Sequence, residues 1–564
     1  MRNSIFTDSV TLQHKIYKNK MGHLEEDDGR ITCKNIQTIE EFQEVIKSQN
    51  TNVTNLKITC SDFKLLPDDM LTDFDQLTHL TLTFCNLVEF PANALPSTLV
   101  ELHLPHNNIY EITPEHFQQL SSLEILNLEN NKIETLASEV FFALARLKTL
   151  SLGDNTIRTV CPGAFNGLCE LDQLNIQENK IRSLDEDLFK ELTSLGVLNL
   201  KSNKIKQLPK TLLGNLKQAS KVDLSGNQLE GIDENVFDGL EQLIELHLES
   251  NEIDYIHARA FPSLKSLQRL YLSGNNLSKL EEAVFEDLFS LEVLDLDGNK
   301  FEEFPKFNLP SLKHLSLSGN SLEILCQDDF VGLTQLAVLT MKENRVRSLD
   351  EGVFDHLAAL HVLDLANNNI NGLLADTFSN VKLRMLDLSK NNIKSLENGC
   401  FKSLQCLNVL NLGYNRIWKL SSGSFEDLPC LLSLLLNDNK IRCLDEDAFD
   451  SLQKLKLLNL NNNDLCLKID GHFDKITELR CLYLKSNVLK RIDKLCNETL
   501  SKLSFLDVSD CDIAEFGEEV FDNAPSLHFV GFALNNVSVE ELAVVKDRYP
   551  EVTFLEVARL PCII

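Results

Sequence analysis

Two pairs of polar side chains stand out because a spacing of 24 residues would place them side by side. Glu245 and His247 lie two residues apart, and Arg269 and Tyr271 repeat this arrangement 24 residues later. Residues two apart on a strand point to the same face, so all four would share one surface. Tyr and Arg are enriched among the residues that dominate binding energy at protein interfaces. These residues therefore predict a partner-binding surface, and His314, two strands further on, is its fifth candidate.

A second, weaker candidate lies near the C-terminal end, where Tyr483 and Lys485 show the same two-residue spacing. Both candidate surfaces would bind a protein or another macromolecule. Each would stand on a rigid sheet, which loses little conformational freedom on binding. Trp418 is the only tryptophan. Since it comes just after a predicted strand, we expect it to pack against the rim of the fold.

No combination of residues predicts an enzyme. The chain contains no Gly-x-Ser-x-Gly, no glycine-rich phosphate loop and no His-Glu-x-x-His. The 13 histidines are dispersed, and the cysteines lack the Cys-x-x-Cys or Cys/His pairing that zinc requires. We therefore expect a non-catalytic protein without a cofactor or a metal ion.

The 15 cysteines follow no evident pairing scheme. Because the number is odd, at least one thiol is free in an isolated chain. Cys33 and Cys60 are the best candidates for a disulfide, whereas Cys85 and Cys511 stand where the repeat described below has asparagine and would be small core residues. The cysteines alone fit a reducing and an oxidising compartment equally well.

Four Asn-x-Ser/Thr sequons are candidate N-glycosylation sites, at Asn52, Asn276, Asn497 and Asn536. A chain this rich in asparagine, serine and threonine contains at least that many by chance. The sequons therefore do not by themselves indicate secretion.

The charge and the hydropathy pattern exclude further classes of function. The chain has 84 acidic and 54 basic residues, a net charge of −30. No excess of Lys and Arg is available to neutralise phosphates, so we expect no nucleic-acid binding. No stretch of about 18 apolar residues is present that could span a membrane. No secretory signal follows Met1 or Met21.

A repeat of 24 residues dominates the chain. Its pattern is Leu-x-x-Leu-x-Leu-x-x-Asn-x-Ile, as from Leu99 to Ile109 and again from Leu123 to Ile133. About twenty units cover nearly all of residues 53–545. The recurring asparagines are Asn107, Asn131, Asn155, Asn179, Asn203, Asn227, Asn251, Asn275, Asn299, Asn320, Asn344, Asn368, Asn391, Asn415, Asn439, Asn463 and Asn487.

The spacing within the repeat predicts a short strand. The last two leucines are two residues apart and share one face, while the side chains between them face solvent. The asparagine ends the strand, where its amide can satisfy backbone groups of neighbouring repeats that would otherwise be buried without a partner. Stacked repeats then form a parallel sheet with strands about 4.8 Å apart.

Ten residues after most of these asparagines a phenylalanine recurs, which predicts a buried column of rings behind the sheet. Acidic pairs before the rings, such as Asp233-Glu234 and Asp350-Glu351, would cap the start of a short outer helix or turn. The recurring rings are Phe117, Phe141, Phe165, Phe189, Phe237, Phe261, Phe285, Phe330, Phe354, Phe378, Phe401, Phe425, Phe449, Phe473 and Phe521.

These patterns predict an α/β solenoid, a horseshoe with a concave parallel β-sheet and short helices or turns on its convex side. Residues 1–30 would be a flexible acidic tail, and residues 31–52 an N-terminal cap-like segment with a helix over residues 36–46. The solenoid would cover residues 53–538, and residues 539–564 would form a C-terminal cap-like helix and strand.

The 24-residue unit, with asparagine at the strand end and phenylalanine near its close, resembles the typical class of leucine-rich repeat proteins. That class includes the ectodomains of Toll-like receptors, the Slit proteins and adhesion proteins such as chaoptin. The resemblance implies recognition, adhesion, innate immunity or a receptor-ectodomain role, outside the cell or at its surface. The chain departs from the class in lacking the cysteine-rich caps that many secreted members carry.

Two alternatives remain open. An intracellular leucine-rich repeat scaffold in the cytoplasm could regulate a signalling enzyme through the same concave face, which the missing signal and the odd cysteine count favour. A fragment of a transmembrane receptor would instead have a signal and a membrane span encoded in the flanking sequence. A count of free thiols would separate the intracellular reading from the extracellular one.

Overall fold

The computed structural model describes residues 24–27, 30–34, 53–59, 61–281, 283–466, 471–493, 500–517 and 519–555. The chain divides into two compact units: Met1–Asn276 with Glu281–Leu291, and Leu277–Leu280 with Glu292–Ile564. The predicted bounds of the solenoid, residues 53–538, stay a prediction. Each repeat of a solenoid contacts only its neighbours.

The first unit is built on a parallel sheet. Strands β7 and β9, and strands β13 and β15, form two separate two-stranded sheets, and the other strands pair in chain order. The strands are β1 (Leu24–Asp27), β2 (Arg30–Lys34), β3 (Asn55–Thr59), β4 (His79–Thr83), β5 (Glu101–His103), β6 (Ile125–Asn127), β7 (Thr135–Leu136), β8 (Thr149–Ser151), β9 (Thr159–Val160), β10 (Gln173–Asn175), β11 (Val197–Asn199), β12 (Lys221–Asp223), β13 (Gly231–Ile232), β14 (Glu245–His247), β15 (Tyr255–Ile256) and β16 (Arg269–Tyr271).

The second unit has the same organisation. Here β23 pairs with β25 and β28 with β30 in two-stranded sheets, while the remaining strands form a parallel sheet in chain order. The strands are β17 (Val293–Asp295), β18 (His314–Ser316), β19 (Val338–Thr340), β20 (Val362–Asp364), β21 (Met385–Asp387), β22 (Val409–Asn411), β23 (Lys419–Leu420), β24 (Ser433–Leu435), β25 (Cys443–Leu444), β26 (Leu457–Asn459), β27 (Cys481–Tyr483), β28 (Arg491–Ile492), β29 (Phe505–Asp507), β30 (Glu515–Phe516), β31 (Phe529–Gly531) and β32 (Thr553–Leu555).

The two ends of the chain carry different elements. Strand β1 lies inside the segment that the sequence predicts to be a flexible tail. Its backbone pairs antiparallel with β2, so this part of the segment is a strand. The rest of that tail and the helix predicted over residues 36–46 lie outside the described residues, apart from Arg30. At the C-terminal end, helix α1 (Val539–Arg548) and strand β32 lie where the sequence predicts a helix and a strand. Ser538 caps α1 by accepting a hydrogen bond from the Glu541 N–H at 3.1 Å.

Most of the outer segments are turns. Within the described residues only Ala92–Ala94, Pro114–Phe117 and Gln327–Phe330 form short 3-10 helices on that side. The predicted capping by acidic pairs differs from case to case. Asp233 accepts from the Tyr255 hydroxyl at 2.7 Å and Glu234 pairs with Lys210 at 2.9 Å. Glu281 accepts from the Ala258 N–H at 3.2 Å, one repeat earlier in the chain. The tight spacing leaves room for a turn and not for a full helix in each repeat.

The leucines and the recurrent phenylalanines form the core of each unit. All fifteen predicted ring positions are at most 3% exposed. Ring centroids of neighbouring repeats lie 6.2 Å apart for Phe141 and Phe165, and 6.1 Å apart for Phe425 and Phe449. Leu213 takes the ring position in its repeat and is fully buried. The prediction of a buried aromatic column is confirmed.

The recurrent asparagines are between 4% and 8% exposed, and each joins neighbouring repeats. Asn131 is representative: its Nδ2 donates to the carbonyls of Leu104, Leu128 and Glu129 at 2.9, 3.0 and 3.2 Å. Its Oδ1 accepts from the Ile109 N–H at 3.0 Å. A single side chain thus satisfies four backbone groups, three of which lie deep in the interior.

The two cysteines at asparagine positions keep part of this pattern. The Cys511 thiol lies 3.1 Å from the Leu484 carbonyl and 3.3 Å from the Ser509 carbonyl, and donates to them. A thiol offers no counterpart to the amide oxygen, so the Leu489 N–H donates to the backbone carbonyl of Cys511 at 3.0 Å. Both Cys511 and Cys85 are fully buried, as predicted.

Replacing Asn131 by Ala should destabilise the protein by about 2–4 kcal/mol, because each buried polar group left without a partner costs about 1–3 kcal/mol. Urea unfolding measures the loss, and amide hydrogen exchange at Ile109 should accelerate. Asn369→Ala is the control, since that side chain is exposed and makes no hydrogen bond to a described residue. Equal effects of the two substitutions would contradict the bridging function of the asparagine.

Adjacent phenylalanines offer a matched test of the aromatic column. Phe141 is fully buried, whereas Phe142 is 60% exposed. Phe141→Ala should cost about 3–5 kcal/mol of unfolding free energy through the cavity it leaves. Phe142→Ala should change that free energy by less than about 0.5 kcal/mol. Thermal and urea unfolding of both variants would refute the buried column if Phe141→Ala proved as mild as Phe142→Ala.

Candidate binding site

The main sheet of the first unit brings together four of the residues singled out from the sequence. Strands β14 and β16 pair in parallel, with Glu245 opposite Arg269 and His247 opposite Tyr271. On each strand the leucine between the two polar residues, Leu246 on β14 and Leu270 on β16, is fully buried. The four side chains therefore stand together on the solvent-facing side of the sheet.

Glu245 is the centre of this cluster. Its Oε1 lies 2.6 Å from His247 Nε2 and 2.9 Å from Lys221 Nζ, and its Oε2 lies 3.3 Å from Arg269 Nη2. Burial by itself would raise the pKa of Glu245, but the hydrogen bonds from His247 and Lys221 outweigh it and lower the pKa to about 2. The carboxylate is therefore ionised throughout the physiological range and fixes three cationic groups around it.

His247 lies between two carboxylates and against an aromatic ring. Its Nδ1 is 3.0 Å from Glu249 Oε1, and its ring stacks on that of Tyr271 with centroids 4.6 Å apart. Burial favours the neutral imidazole, but the bonds to Glu249 and Glu245 prevail and raise the pKa of His247. An imidazolium donates from both nitrogens, so this geometry suits the protonated ring.

The outer part of the cluster has unused hydrogen-bonding capacity. Burial and the charge of Glu245 raise the pKa of Tyr271, so its phenol stays protonated. The Tyr271 hydroxyl makes no hydrogen bond with any residue of the described ranges. The Glu249 Oε2 is buried and also lacks a partner among those residues. A ligand group that hydrogen-bonds to the Tyr271 hydroxyl would complete the outer part of the site.

The sequence did not predict two members of the cluster, Lys221 and Glu249. Lys221 lies one repeat before Glu245, opposite it on β12. The 24-residue spacing therefore contained the signal for Lys221. Glu249 follows β14 by two residues, beyond the end of the strand, and no spacing rule predicts that its side chain turns back to His247.

A row of Asn and Asp along the sheets has a structural explanation. Each side-chain oxygen accepts the N–H of the residue two further on, at 2.9 Å for Asn127 and Glu129 for example, which closes the turn after the strand. His247 and Tyr271 interrupt this row, so their side chains do not serve the turn. The row comprises Asn127, Asn175, Asn199, Asp223, Asp295, Asp364, Asp387, Asn411, Asn459 and Asp507.

The remaining predicted binding residues stand apart from this cluster. His314 is exposed on β18 and belongs to the second unit. Tyr483 is half-buried on β27, with its ring 5.1 Å from that of Phe505. The backbone N–H of Lys485 donates to Asn461 Oδ1 at 2.7 Å. Tyr483 and Lys485 remain a prediction of a second binding surface.

The predicted disulfide and glycosylation sites are only partly described. Burial raises the pKa of the Cys33 thiol to about 11, and its suggested partner Cys60 lies outside the described residues, as do Asn52 and Asn497. Asn276 donates to the Glu252 carbonyl at 3.2 Å, and the exposed Asn536 donates to Asp512 Oδ1 at 2.6 Å. Glycosylation at any of the four sequons stays a prediction.

Metal-binding clusters and membrane-spanning helices are absent from the described ranges. No group of three or more His, Cys, Asp or Glu side chains there is arranged to hold a metal ion. No helix in those ranges combines the length and the apolar character needed to cross a lipid bilayer.

The charge network predicts a defined pH dependence. Glu245 stabilises the fold above its unfolded-state pKa of about 4.3 and loses this contribution as the pH falls toward its folded value of about 2. His247, with a raised pKa, stabilises the fold below about pH 6.5 and loses this contribution as the pH rises through the folded value. Both contributions are complete between about pH 4.5 and 6.5.

The stability difference between the wild type and His247→Gln should therefore be larger at about pH 5.5 than at about pH 8.5. Urea unfolding at the two pH values measures it. His314→Gln is the control, because His314 is exposed and makes no ion pair or hydrogen bond with a described residue. A difference for His247→Gln that does not change with pH would disprove the protonated bridge.

Comparison with known proteins supports the fold independently. No curated relative matches the chain. Among solved structures, it is similar to the glycosylated Toll–Spatzle complex of Drosophila, with 18% identity over 93% of this chain and 84% of that chain and a TM-score of 0.67. It is also similar to the TLR13–ssRNA13 complex (21% identity, 92% and 90% covered, TM-score 0.51) and to the plant peptide hormone receptor RGFR1 in complex with RGF2 (19% identity, 95% and 94% covered, TM-score 0.52). At these identities the likeness concerns the fold alone.

The sequence pattern that describes the leucine rich repeat matches most of the chain. The matched segments are residues 97–157, 145–205, 193–253, 242–301, 306–346, 334–393, 359–416, 381–441 and 407–465. With the parallel strands and the buried asparagines of both units, this match identifies the protein: the chain belongs to the leucine-rich repeat family.

Proposed function

We propose that this chain is a non-catalytic protein-binding protein that recognises its ligand through the solvent-facing sheet surface around Tyr271. The observation that carries the proposal is the cluster of Glu245, His247, Arg269 and Tyr271 on two adjacent strands. Its ion pairs hold an aromatic ring and a guanidinium in place before any partner arrives. Such pre-organisation lowers the entropy lost on binding.

The chemistry of the cluster favours a protein ligand. Tyr271 and Arg269 are of the residue types that most often dominate protein interfaces. Arg269 is 41% exposed and has only Glu245 as an ion-pair partner among the described residues, so part of its guanidinium remains accessible. A polypeptide offers backbone N–H and carbonyl groups for the Tyr271 hydroxyl, together with apolar groups for the Tyr271 ring.

The solved structures named above agree with a recognition function. Their titles describe a Toll–Spatzle complex, a receptor bound to the peptide hormone RGF2, and TLR13 bound to single-stranded RNA. By analogy, we extend the proposal to a receptor-like, recognition or adhesion role outside the cell or at its surface. The intracellular scaffold remains the alternative, and it would use the same surface.

Photo-crosslinking tests the proposal directly. p-Benzoylphenylalanine at position 271 should capture a ligand that the same residue at position 110 does not, because Tyr110 lies outside the main sheet although it is more exposed than the half-buried Tyr271. The captured protein should then bind Tyr271→Ala/Arg269→Ala at least about tenfold more weakly than the wild type, as expected for two interface anchors. Calorimetry or surface plasmon resonance measures the affinity, with Tyr110→Ala as control. Unchanged affinity of the double variant would refute the site.

A further inference from the structure

A second surface with a different chemistry lies in the second unit, on the segments that follow β21, β22 and β24. Three neighbouring repeats contribute to it from three positions, one residue before and one and three residues after the buried asparagine. Seven of these nine positions hold basic or aromatic residues, and the other two hold Asn392 and, at one corner, Asp438. We call the seven residues the basic–aromatic patch: Lys390, Lys394, Tyr414, Arg416, Trp418, Lys440 and Arg442.

The fold places these residues on one surface. In each repeat the asparagine and the isoleucine two residues later are buried, as Asn415 and Ile417 are, so the residues flanking them point outward. Backbone hydrogen bonds run from the Trp418 N–H to the Lys394 carbonyl at 3.3 Å and from the Arg442 N–H to the Trp418 carbonyl at 3.1 Å. With a spacing of about 4.8 Å per repeat, the patch extends about 10 Å across three repeats.

The aromatic side chains of the patch are open to solvent. Trp418 is 42% exposed and Tyr414 is 52% exposed. A large part of the Trp418 side chain is therefore open to solvent, and its packing against the rim of the fold stays a prediction. The Arg442 guanidinium lies 5.5 Å from the indole centroid and the Lys390 ammonium 5.9 Å from the Tyr414 ring centroid. Cations above aromatic faces give a surface that is both positive and able to contact apolar groups.

The cations of the patch are not neutralised within the fold. Lys394, Arg416 and Lys440 are exposed and form no ion pair with any residue that the structure describes. Two carboxylates lie next to the patch: Asp445 is 3.7 Å from Lys419 Nζ, and Asp438 accepts hydrogen bonds from neighbouring asparagines. Like charges on adjacent repeats repel one another, so folding alone does not favour this arrangement. A concentration of unpaired cations on a chain of net charge −30 calls for an anionic partner.

We propose that the basic–aromatic patch binds a short acidic segment of a partner polypeptide. Aspartate and glutamate side chains would pair with Arg416, Lys440 and Lys394, and an apolar side chain of the same segment would contact Trp418. The patch is bounded by Asp438, Asp445 and the next repeat's Asp464. A long polyanion such as a nucleic-acid strand would continue from the patch onto these carboxylates, whereas a short peptide ends before them.

The first unit supplies an internal comparison. Lys180 and Lys204 occupy the same repeat position as Arg416 and Lys440, and both are exposed. Arg182 and Lys206 accompany them, and all four of these residues are basic. This stretch is therefore basic without being aromatic. Substitutions in this stretch therefore serve as a control that distinguishes recognition by the patch from a general attraction of anions to basic residues.

Trp418, as the only tryptophan, provides the signal for the test. A peptide of about three residues, glutamate-leucine-glutamate, spans about 10 Å when extended, which matches the extent of the patch. Titration into the full chain should change the Trp418 fluorescence, and a peptide with glutamine in place of glutamate should not. Absence of binding by the acidic peptide would overturn the proposal.

Charge reversal then locates the site. Arg416→Glu/Lys440→Glu should weaken binding of the fluorescein-labelled peptide at least about tenfold in an anisotropy titration, because like charges now face each other. Lys180→Glu/Lys204→Glu, with the same change in net charge, should alter it by less than about twofold. Equal weakening by the two variants would show attraction to net charge alone and would reject the patch.

Two further measurements complete the design. Lys440→Gln, a milder change, should weaken peptide binding by about threefold and keeps the test decisive if the double variant does not fold, which circular dichroism reveals. A single-stranded oligonucleotide of equal charge should bind more weakly than the peptide. Tighter binding of the oligonucleotide would replace the acidic peptide by nucleic acid as the occupant and would refute the proposal.

Discussion

The bridging asparagine is the interaction on which each unit depends. A strand of three residues followed by a turn leaves backbone carbonyls and N–H groups buried beneath the next repeat, and a buried group without a partner costs about 1–3 kcal/mol. One carboxamide supplies two donor hydrogens and an acceptor at that point, and it reaches the neighbouring repeat as well as its own turn. The side chain of Asn131 retains little conformational freedom, since its amide makes hydrogen bonds to four backbone groups within 3.2 Å.

Because this bridge fixes the register between repeats, residues far apart in the chain become neighbours at predictable positions. The opposition of Glu245 and Arg269 on β14 and β16 follows from it. So does the succession of Lys394, Trp418 and Arg442 in the second unit. The leucine and phenylalanine interior forms the core, so most outward positions can vary at little cost to the fold. A leucine-rich repeat chain can therefore carry separate surfaces of different chemistry on one kind of scaffold.

The same periodicity explains what could be predicted from the sequence. The strands, the buried asparagines and the aromatic column follow from alternation and spacing, and so does the grouping of Glu245, His247, Arg269 and Tyr271. Features that depend on side-chain direction beyond the strand could not be predicted in this way. Glu249 turns back to His247 after the strand has ended, and Trp418 is exposed because its backbone position points outward. The antiparallel pairing of β1 with β2 is local, from Leu24 opposite Cys33 to Asp27 opposite Arg30. The Asp28-Gly29 dipeptide between the two strands is a hairpin signal that the reading of the sequence did not use.

Net charge describes the whole chain and not its individual surfaces. A total of −30 argues against a nucleic-acid partner, and the carboxylates and the cations are distributed unevenly along the repeats. Around Glu245 the cations are held by a carboxylate, so that cluster presents oriented groups with little excess charge. Around Trp418 the cations lack such partners, and the electrostatic attraction for an anion acts at short range, within about 8–10 Å at physiological salt. At that distance the local arrangement, and not the sum over 564 residues, decides which partner approaches.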